Sequence, residues 1–589
     1  MTMTEITANE SPESIRRDTP GMRSRPAVLR VAVHVCIVLL AWVALELWGL
    51  GKAPFHTVGE PREGLVVWEM THDGGWILPR RNGTELPSKP PLFHWLGAVT
   101  SLVHGTTDEW SIRFPSAALS LLGLLCVYAT GTALWTAHAG LLSALALMTT
   151  FEWARAATGA RVDMTLTFGL QLAFLSLLFF FRQRSWGWLV PLYASIALAV
   201  LGKGPVGVAL PGLAALTIVA LSRDLGALRD LRLGYGALAV GVLAGSWYVG
   251  ALVLGGWAFF HKQVLAENIF TFLNNPAFRE GHRHGVWYLF GALLLGLLPW
   301  TLLLPGVAAR LWQQRKQITI SDPRVYLLVW IVVVFGFYAV AASKRSVYLL
   351  ALYPAVALLL GWWADEQSVA PAGEQRWLAR PLAAVSWVLV GVLGVLVLAV
   401  LLEGLGVPIA ATLRPWLPAR AQPFLPLASD VIRSGRWAIL GFLVLSAAGF
   451  YGTTRAARGP RWSAMIGTLF CGVAAVTMAV SKVILPEVAG HQTMRTFMTE
   501  VRQLVGPQQQ VFFYHVLDYG AVFYWNGRIP AYDGPLSADA APRYILLPQS
   551  EWDKVRGGAQ GRYEEVSFPD SEIMYNRSRL ILIRRVEAP

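Results

Sequence analysis

The stretch that decides the fold is residues 59–92, GEPREGLVVWEMTHDGGWILPRRNGTELPSKPPL. One hydrophobic span precedes this stretch and a long series of hydrophobic spans follows it. The stretch concentrates charged side chains in a chain that otherwise avoids them, namely Glu60, Arg62, Glu63, Asp73, Arg80, Arg81, Glu85 and Lys89. Packing of helices against each other gives no reason for so much charge. The loop therefore indicates a membrane enzyme that acts on a charged substrate.

The composition places most of the chain in lipid. The 589 residues are 55% hydrophobic and 14% charged, and the mean hydropathy is +0.48. Soluble domains carry about 25% charged residues. The net charge of +13 comes from Lys and Arg in short clusters between apolar runs, which is a membrane-topology pattern. It argues against nucleic acid as a partner.

Apolar runs long enough to cross a bilayer as helices recur along the chain. We predict about thirteen spans, near 28–50, 113–134, 137–154, 163–181, 187–201, 204–222, 233–255, 286–309, 324–342, 347–363, 380–403, 434–453 and 462–484. Residues 1–27 are predicted to be a disordered cytoplasmic segment, and 28–484 a membrane domain whose first outer loop is 51–112. Within that loop, 91–104 is predicted to be a helix lying on the membrane surface.

Positive charge orients these spans. Alternate loops carry clusters of arginine and lysine, which predicts a multi-pass inner (plasma) membrane protein with a cytoplasmic N-terminus. An odd number of spans then places residues 485–589 outside. Segments near 508–514, 543–548 and 578–585 have the pattern of strands, so this region is predicted to be a small extracytoplasmic α/β domain.

Cations on the outer side break the topology rule. Besides Lys89, the outer loops hold Arg155, Arg161, Lys203, Lys262, Arg279, His282, Arg283, His284, Lys344 and Arg345. Their convergence on one face predicts a site for a phosphate-bearing ligand embedded in the membrane, with residues 279–284 as a substrate-contacting loop. The alternative for any one of them is interaction with lipid headgroups.

Two carboxylates are candidates for a general base that activates a hydroxyl nucleophile. Glu60 follows the first span and Asp163 begins the fourth. The alternatives are a helix N-cap for Asp163 and a salt bridge to Arg62 or Arg161. The pair His282 and His284 has no third ligand nearby in the sequence, so no metal site is predicted.

Several motifs in fixed order resemble a known family. They are EPRE and WEMTHDGGWILPRRNG, then SKPPLFHWL and SIRFPSA (60–117), followed by ARVDMTL (160–166), AVLGKGPV (199–206), HGVWYL with GLLPW (284–300) and SKRSVYLLALYP (343–354). The set, which covers roughly 28–365, resembles the polyprenyl-phosphate-sugar-dependent glycosyltransferases. These include the lipid A aminoarabinose transferase and, more distantly, the protein O-mannosyltransferases.

The resemblance implies the GT-C fold, a bundle of membrane helices with surface helices in its first outer loop. It implies inverting transfer of a sugar from a polyprenyl phosphate to a hydroxyl of lipid A, another lipid, a glycan or a protein. Lys89 would hold the donor phosphate, with Arg62, Lys203 and Lys344 neutralising it and Tyr348 nearby. Asp163 matches an acidic position of the donor pocket.

The chain departs from the family pattern at three places. Gly59-Glu60 stands where the family commonly has Asp-Glu, so the base is displaced or is Glu60 itself. Ser88 replaces an acid before the KPP motif, and Asn268 follows Glu267 where the family often has His. No cofactor is expected, because cations alone can stabilise the leaving phosphate; dependence on a divalent metal stays open. The alternative functions are a transporter or flippase of lipid-linked sugars and a non-catalytic binder of them.

Overall fold

The computed structural model describes residues 25–270, 284–369, 376–416, 418, 422, 425–459, 461–559, 561–568, 574–575 and 578–586. The α-helices are Arg25–Trp42, Gly59–Asp73, Leu92–His104, Glu109–Leu134, Ala137–Met148, Phe151–Ala157, Asp163–Gln183, Leu189–Lys203, Val206–Ser222, Gly226–Asp230, Leu233–Val240, Ser246–Phe259, Val286–Gly296, Leu304–Gln314, Pro323–Val340, Tyr353–Val369, Arg376–Gly404, Ile409–Leu413, Leu425–Arg458, Trp462–Ala479, Leu485–Gln492, Met494–Val505, Tyr519–Trp525 and Gln549–Ala559. Four π-helical segments, Val43–Leu47, Gly241–Gly245, Phe260–Phe270 and Val480–Ile484, extend some of them.

Ten helices among the described residues are long and apolar enough to span a membrane, or eleven if one bent pair counts as a span. Two shorter apolar helices, Ala137–Met148 and Val206–Ser222, lie on segments that the sequence predicts as spans. The polytopic helical fold is therefore confirmed, while the number thirteen stays a prediction. Most of residues 1–27 lies outside the described residues, and the first helix begins at Arg25.

Two predicted spans are broken. The span predicted at 137–154 ends as a helix at Met148, and a new helix begins at Phe151. The hydroxyls of Thr149 and Thr150 donate to carbonyls one turn earlier, which is a local alternative to continued helix pairing. The span predicted at 286–309 bends by 97°, and Pro299, which has no N–H to donate, lies at the bend. Hydropathy alone predicts neither of these two breaks.

The first outer loop is largely helical. Gly59–Asp73 and Leu92–His104 form two helices in it, and each ends at a glycine with positive φ, Gly74 and Gly105. Glycine adopts this left-handed conformation without the steric cost that a Cβ brings. The helix predicted at 91–104 is confirmed as a helix.

Residues after the last span form a five-stranded sheet. The strands are β1 (Val511–Phe513), β2 (Tyr544–Pro548), β3 (Tyr563–Val566), β4 (Met574–Tyr575) and β5 (Ser578–Arg585). β1 pairs parallel with β2, and β5 pairs antiparallel with β2, β3 and β4. The three predicted strands correspond to β1, β2 and β5, whereas β3, with the polar sequence YEEV, and the two-residue β4 have no apolar run that indicates a strand.

This sheet region packs on the first outer loop, and the two share one hydrophobic core. Val66 and Phe93 of the loop helices lie in the same buried cluster as Met498 and Phe513. Asn82 adds a polar clamp, because its side chain exchanges hydrogen bonds of 2.7 and 2.9 Å with the backbone of Ile529. The C-terminal region thereby holds the charged loop in place over the membrane helices.

Candidate active site

A cavity of about 510 Å³ lies where the first outer loop meets the helix ends of the membrane domain. Five cationic side chains and three carboxylates line it: Arg62, Lys89, Arg161, Lys203 and Arg345, with Glu63, Asp163 and Glu267. Tyr338, Tyr348, Val206 and Phe337 contribute aromatic and apolar surface. Positive charge is in excess, and one wall is apolar, so the cavity suits an anionic group attached to a lipid chain.

Lys89 reaches the cavity from the KPP segment. Its Nζ lies 2.7 Å from Oε2 of Glu267, in the π-helical segment Phe260–Phe270. Gln263 fixes this segment against the loop, because its amide donates to the carbonyls of Pro87 and Lys89 at 2.8 and 3.0 Å. The predicted phosphate-binding lysine is thus in the cavity, with a carboxylate as its present partner.

Lys203 and Asp163 form the second ion pair of the cavity, with 2.5 Å between Nζ and Oδ1. Asp163 begins the helix Asp163–Gln183, and Lys203 ends the helix Leu189–Lys203. The ring of Tyr348 lies under the ammonium group, 4.8 Å from Nζ to the ring centroid, in the geometry of a cation–π contact. The structure thus brings these three predicted residues together.

The sequence predicts that Lys344 helps to neutralise the phosphate, and that Arg345 is only one of the converging outer-face cations. Lys344 is buried outside the cavity lining, and its Nζ donates to the carbonyl of Ala341 at 2.6 Å. Arg345, the next residue, lines the cavity. Neighbouring side chains in an extended turn point to opposite sides, so one residue of register decides which cation faces the site.

Glu60 lies outside the cavity lining. Arg113 donates to both of its oxygens, from Nε to Oε1 at 2.7 Å and from Nη2 to Oε2 at 2.9 Å, and the backbone N–H of Ala160 donates to Oε1 at 3.1 Å. Burial by itself would raise the pKa of Glu60, but the Arg113 charge and hydrogen bonds outweigh it and the pKa is lowered. Of the two predicted bases, only Asp163 therefore faces the site.

Glu63 is a cavity carboxylate that the sequence did not single out as a base. Arg62 donates to its Oε1 from Nη2 at 2.8 Å, and Nε2 of His94 lies 2.8 Å from its Oε2. Burial alone would raise the pKa of Glu63, but the His94 hydrogen bond and the Arg62 charge hold that pKa well below its usual range. The sequence contains a signal for this pair, because Glu63 lies one turn into a helix and His94 directly follows the KPPLF segment.

The substrate loop predicted at residues 279–284 lies mostly outside the described residues. Arg279 and His282 lie outside the described residues. His284 is exposed and stacks on the ring of Tyr288 at 4.2 Å between centroids. It is not part of the cavity lining. Within the described part of the chain, no three His, Cys, Asp or Glu side chains are grouped to hold a metal ion.

The helices and the small sheet define a polytopic membrane protein with the GT-C fold. The chain superposes on ArnT from Cupriavidus metallidurans bound to undecaprenyl phosphate with a TM-score of 0.73, covering 95% of this chain and 98% of that one at 20% identity. The apo state of the same protein gives 0.72. The predicted GT-C fold is confirmed.

Sequence comparison agrees with the fold. Residues 88–246 match the family model described as dolichyl-phosphate-mannose-protein mannosyltransferase. The undecaprenyl phosphate-alpha-4-amino-4-deoxy-L-arabinose arabinosyl transferases of Aeromonas hydrophila and Aeromonas salmonicida are each 28% identical, over 342 and 415 residues. These matches cover 57% and 69% of this chain, and 60% and 71% of the relatives. The predicted resemblance to polyprenyl-phosphate-sugar-dependent glycosyltransferases is confirmed.

Proposed function

We propose that the chain is a membrane glycosyltransferase that moves a sugar from a polyprenyl phosphate to a hydroxyl acceptor, with inversion. The observation that carries the proposal is the cavity in which Arg62, Lys89 and Lys203 converge beside an apolar wall. A phosphate needs several charge-assisted hydrogen bonds, and its lipid chain needs apolar surface. Both are present at the outer ends of membrane helices.

The ion pairs of the cavity support a phosphate as ligand. Lys89 and Lys203 are each held by one carboxylate, Glu267 and Asp163. A donor phosphate that displaces these carboxylates would place its oxygens on cations already oriented toward the cavity. Such preorganised charge stabilises the negative charge that develops on the leaving phosphate as the bond to the sugar breaks.

The likeness to ArnT, whose structure holds undecaprenyl phosphate, supports undecaprenyl phosphate as the lipid carrier. The Aeromonas relatives are named for transfer of 4-amino-4-deoxy-L-arabinose, and we propose this sugar as the first donor to test. The acceptor hydroxyl belongs to lipid A, another lipid, a glycan or a protein. The transfer takes place on the outer face of the inner membrane, with the N-terminus cytoplasmic and the C-terminal domain outside.

Binding of undecaprenyl phosphate to the purified protein in nanodiscs, followed by native mass spectrometry, tests the donor site. Lys89→Ala should weaken binding at least about tenfold, because one charge-assisted contact is worth roughly 1.5–3 kcal/mol. Lys262→Ala is the matched control, since Lys262 lies outside the cavity and pairs with Glu85. Equal affinity in both variants would refute the phosphate assignment.

Mass spectrometry of envelope lipids and glycans from cells with and without the protein identifies the product. A sugar-modified species that is lost without the protein and restored by it supports transfer. Donor binding without any such product would favour a non-catalytic binder. Movement of the lipid-linked sugar across vesicles, again without transfer, would favour a flippase.

A further inference from the structure

Glu63 is the carboxylate that, of the described residues lining the cavity, pairs with an arginine and not with a lysine. Among the described lining residues, Glu267 and Asp163 hold the lysines that would receive the phosphate, and Glu63 is the remaining acid. Asp163 begins the membrane helix Asp163–Gln183, whereas Glu63 lies on the first-loop helix Gly59–Asp73.

The two oxygens of Glu63 have different partners. Oε2 is held from behind by Nε2 of His94, a side chain that is 1% exposed. Among the described residues, Oε1 has only Arg62 as a partner, whose side chain is 36% exposed and lines the cavity itself. One oxygen is therefore held by a buried imidazole, and the other by a partly exposed side chain.

The helix position one turn before Glu63 is occupied by Gly59. A Cβ built there would lie 3.4 Å from Nη2 of Arg161. Residues four apart lie on the same helix face, so Gly59 and Glu63 share one face of this helix, and both Arg161 and Glu63 line the cavity. The carboxylate thus shares the cavity with cations that attract a phosphate.

We propose that Glu63 is the general base of the reaction and that His94 is its positioning residue. The inference rests on the proposed function. The acceptor oxygen forms a bond to the anomeric carbon, and the bond from that carbon to the phosphate oxygen breaks with its electron pair on the phosphate. The acceptor proton passes to Oε1 of Glu63, which leaves a neutral carboxylic acid and a polyprenyl phosphate monoester.

Arg62 couples donor binding to activation of this base. Its guanidinium donates to Oε1 of Glu63 from both Nε and Nη2. A donor phosphate attracts the same guanidinium, since phosphate and carboxylate both suit its forked donors. Departure of Arg62 uncovers Oε1 and removes the charge that lowers the pKa of Glu63. The base becomes competent only when the donor is in place, which couples proton removal from the acceptor to donor binding.

Glu63→Gln tests the base directly, because the amide keeps the shape and accepts no proton. Transfer should fall by about 10²–10⁴-fold, the usual contribution of general base catalysis, while undecaprenyl phosphate still binds with wild-type affinity. Glu63→Asp keeps a carboxylate and should retain more activity than the amide. Glu69→Gln is the matched control, since Glu69 is buried on the same helix but contacts Gly83 and Arg528 outside the cavity; it should transfer at the wild-type rate.

The positioning role of His94 is tested by the turnover of His94 variants and by its dependence on pH. His94→Gln can still donate to Oε2, so it should retain most of the turnover that His94→Ala loses, and neither change should alter undecaprenyl phosphate affinity. The wild-type enzyme should lose turnover as the pH falls and Glu63 becomes protonated, and His94→Ala should shift that limb. A pH profile identical to wild type in His94→Ala would leave His94 a purely structural residue and overturn this part of the proposal.

The product found by comparing cells with and without the protein serves as the transfer assay for every variant. Full restoration of that product by Glu63→Gln, with undecaprenyl phosphate bound normally, would overturn the base assignment and leave the glycosyltransferase standing. Loss of undecaprenyl phosphate binding in Glu63→Gln would also overturn it, because the residue would then act in the donor site. Absence of any product in wild-type cells would instead refute the proposed function itself.

Discussion

Arg113 is the best place to perturb the frame of the site, because it ties the first outer loop to the membrane domain through four hydrogen bonds. Two go to Glu60, and two go from Nη1 to the carbonyls of Leu50 and Ala53, at 3.0 and 2.6 Å. Arg113 and Glu60 are 4% and 6% exposed. Arg113→Met keeps an unbranched apolar stem and leaves the Glu60 carboxylate buried without its partner.

The expected cost follows from this burial. Removing one partner of a buried ion pair destabilises a protein by about 3–5 kcal/mol, because the remaining charge is uncompensated. Replacing both partners, as in Arg113→Met with Glu60→Leu, should cost less than the sum of the two single changes. Unfolding of the protein in nanodiscs by denaturant, followed by tryptophan fluorescence, measures these differences.

The pH dependence gives the same interaction a second test. The folded state lowers the pKa of Glu60, so the pair stabilises the protein above the unfolded pKa of about 4.3 and loses that contribution as the pH falls through the folded pKa. The wild type should therefore approach the double variant in stability at acidic pH. A loss below about 1 kcal/mol for Arg113→Met, the value of an exposed pair, or strict additivity of the two single changes, would refute the reasoning.

Three further changes probe other parts of the molecule. Lys203→Met removes a cation whose partner is Asp163, and undecaprenyl phosphate affinity should fall about tenfold or more in native mass spectrometry; unchanged affinity would exclude Lys203 from the donor site. Asn82→Ala removes two hydrogen bonds to Ile529, worth about 1 kcal/mol each, and amide exchange around Ile529 should accelerate by roughly tenfold or more; unaltered exchange would mean that the clamp is not needed. Arg62→Gln should raise the pH of half-maximal kcat/KM, which reports the donor-free enzyme, because one of the charges that lower the pKa of Glu63 is removed; a limb that stays in place would contradict the coupling.

The sequence predicts the membrane architecture well because hydropathy and charge act on whole segments. Long apolar runs became helices, and the strands at 508–514, 543–548 and 578–585 appear as β1, β2 and β5. Interruptions depend on single residues within such runs. One predicted span ends as a helix at Met148, and another bends near Pro299. Neither break changes the hydropathy averaged over a span, so hydropathy does not predict them.

The residues of the candidate site likewise include some that the sequence predicts and some that it does not. Lys89, Arg62, Lys203, Tyr348 and Asp163 were found because outer-face cations and family motifs mark segments, and all five line the cavity. The structure differs from the sequence prediction at positions where the direction of a side chain determines whether it reaches the cavity.

Lys344 and Arg345 differ by one position, and Glu60 and Glu63 by three, which is most of a helical turn. Charge and motif identify both members of each pair equally well. Only the backbone path shows that Arg345 and Glu63 face the cavity, while Lys344 binds a carbonyl and Glu60 binds Arg113.

The contrast between Glu60 and Glu63 also separates two roles that a single loop must fill. A base has to change protonation state, so it needs a carboxylate oxygen that substrate can reach and partners that can leave. A structural carboxylate needs the reverse, permanent partners on both oxygens. Arg113, a buried arginine from a membrane helix, gives Glu60 such partners, whereas Glu63 has one fixed imidazole and one exposed arginine. The charge of the first outer loop therefore serves stability through Glu60 and Arg113, and chemistry through Glu63 and the cations that face it.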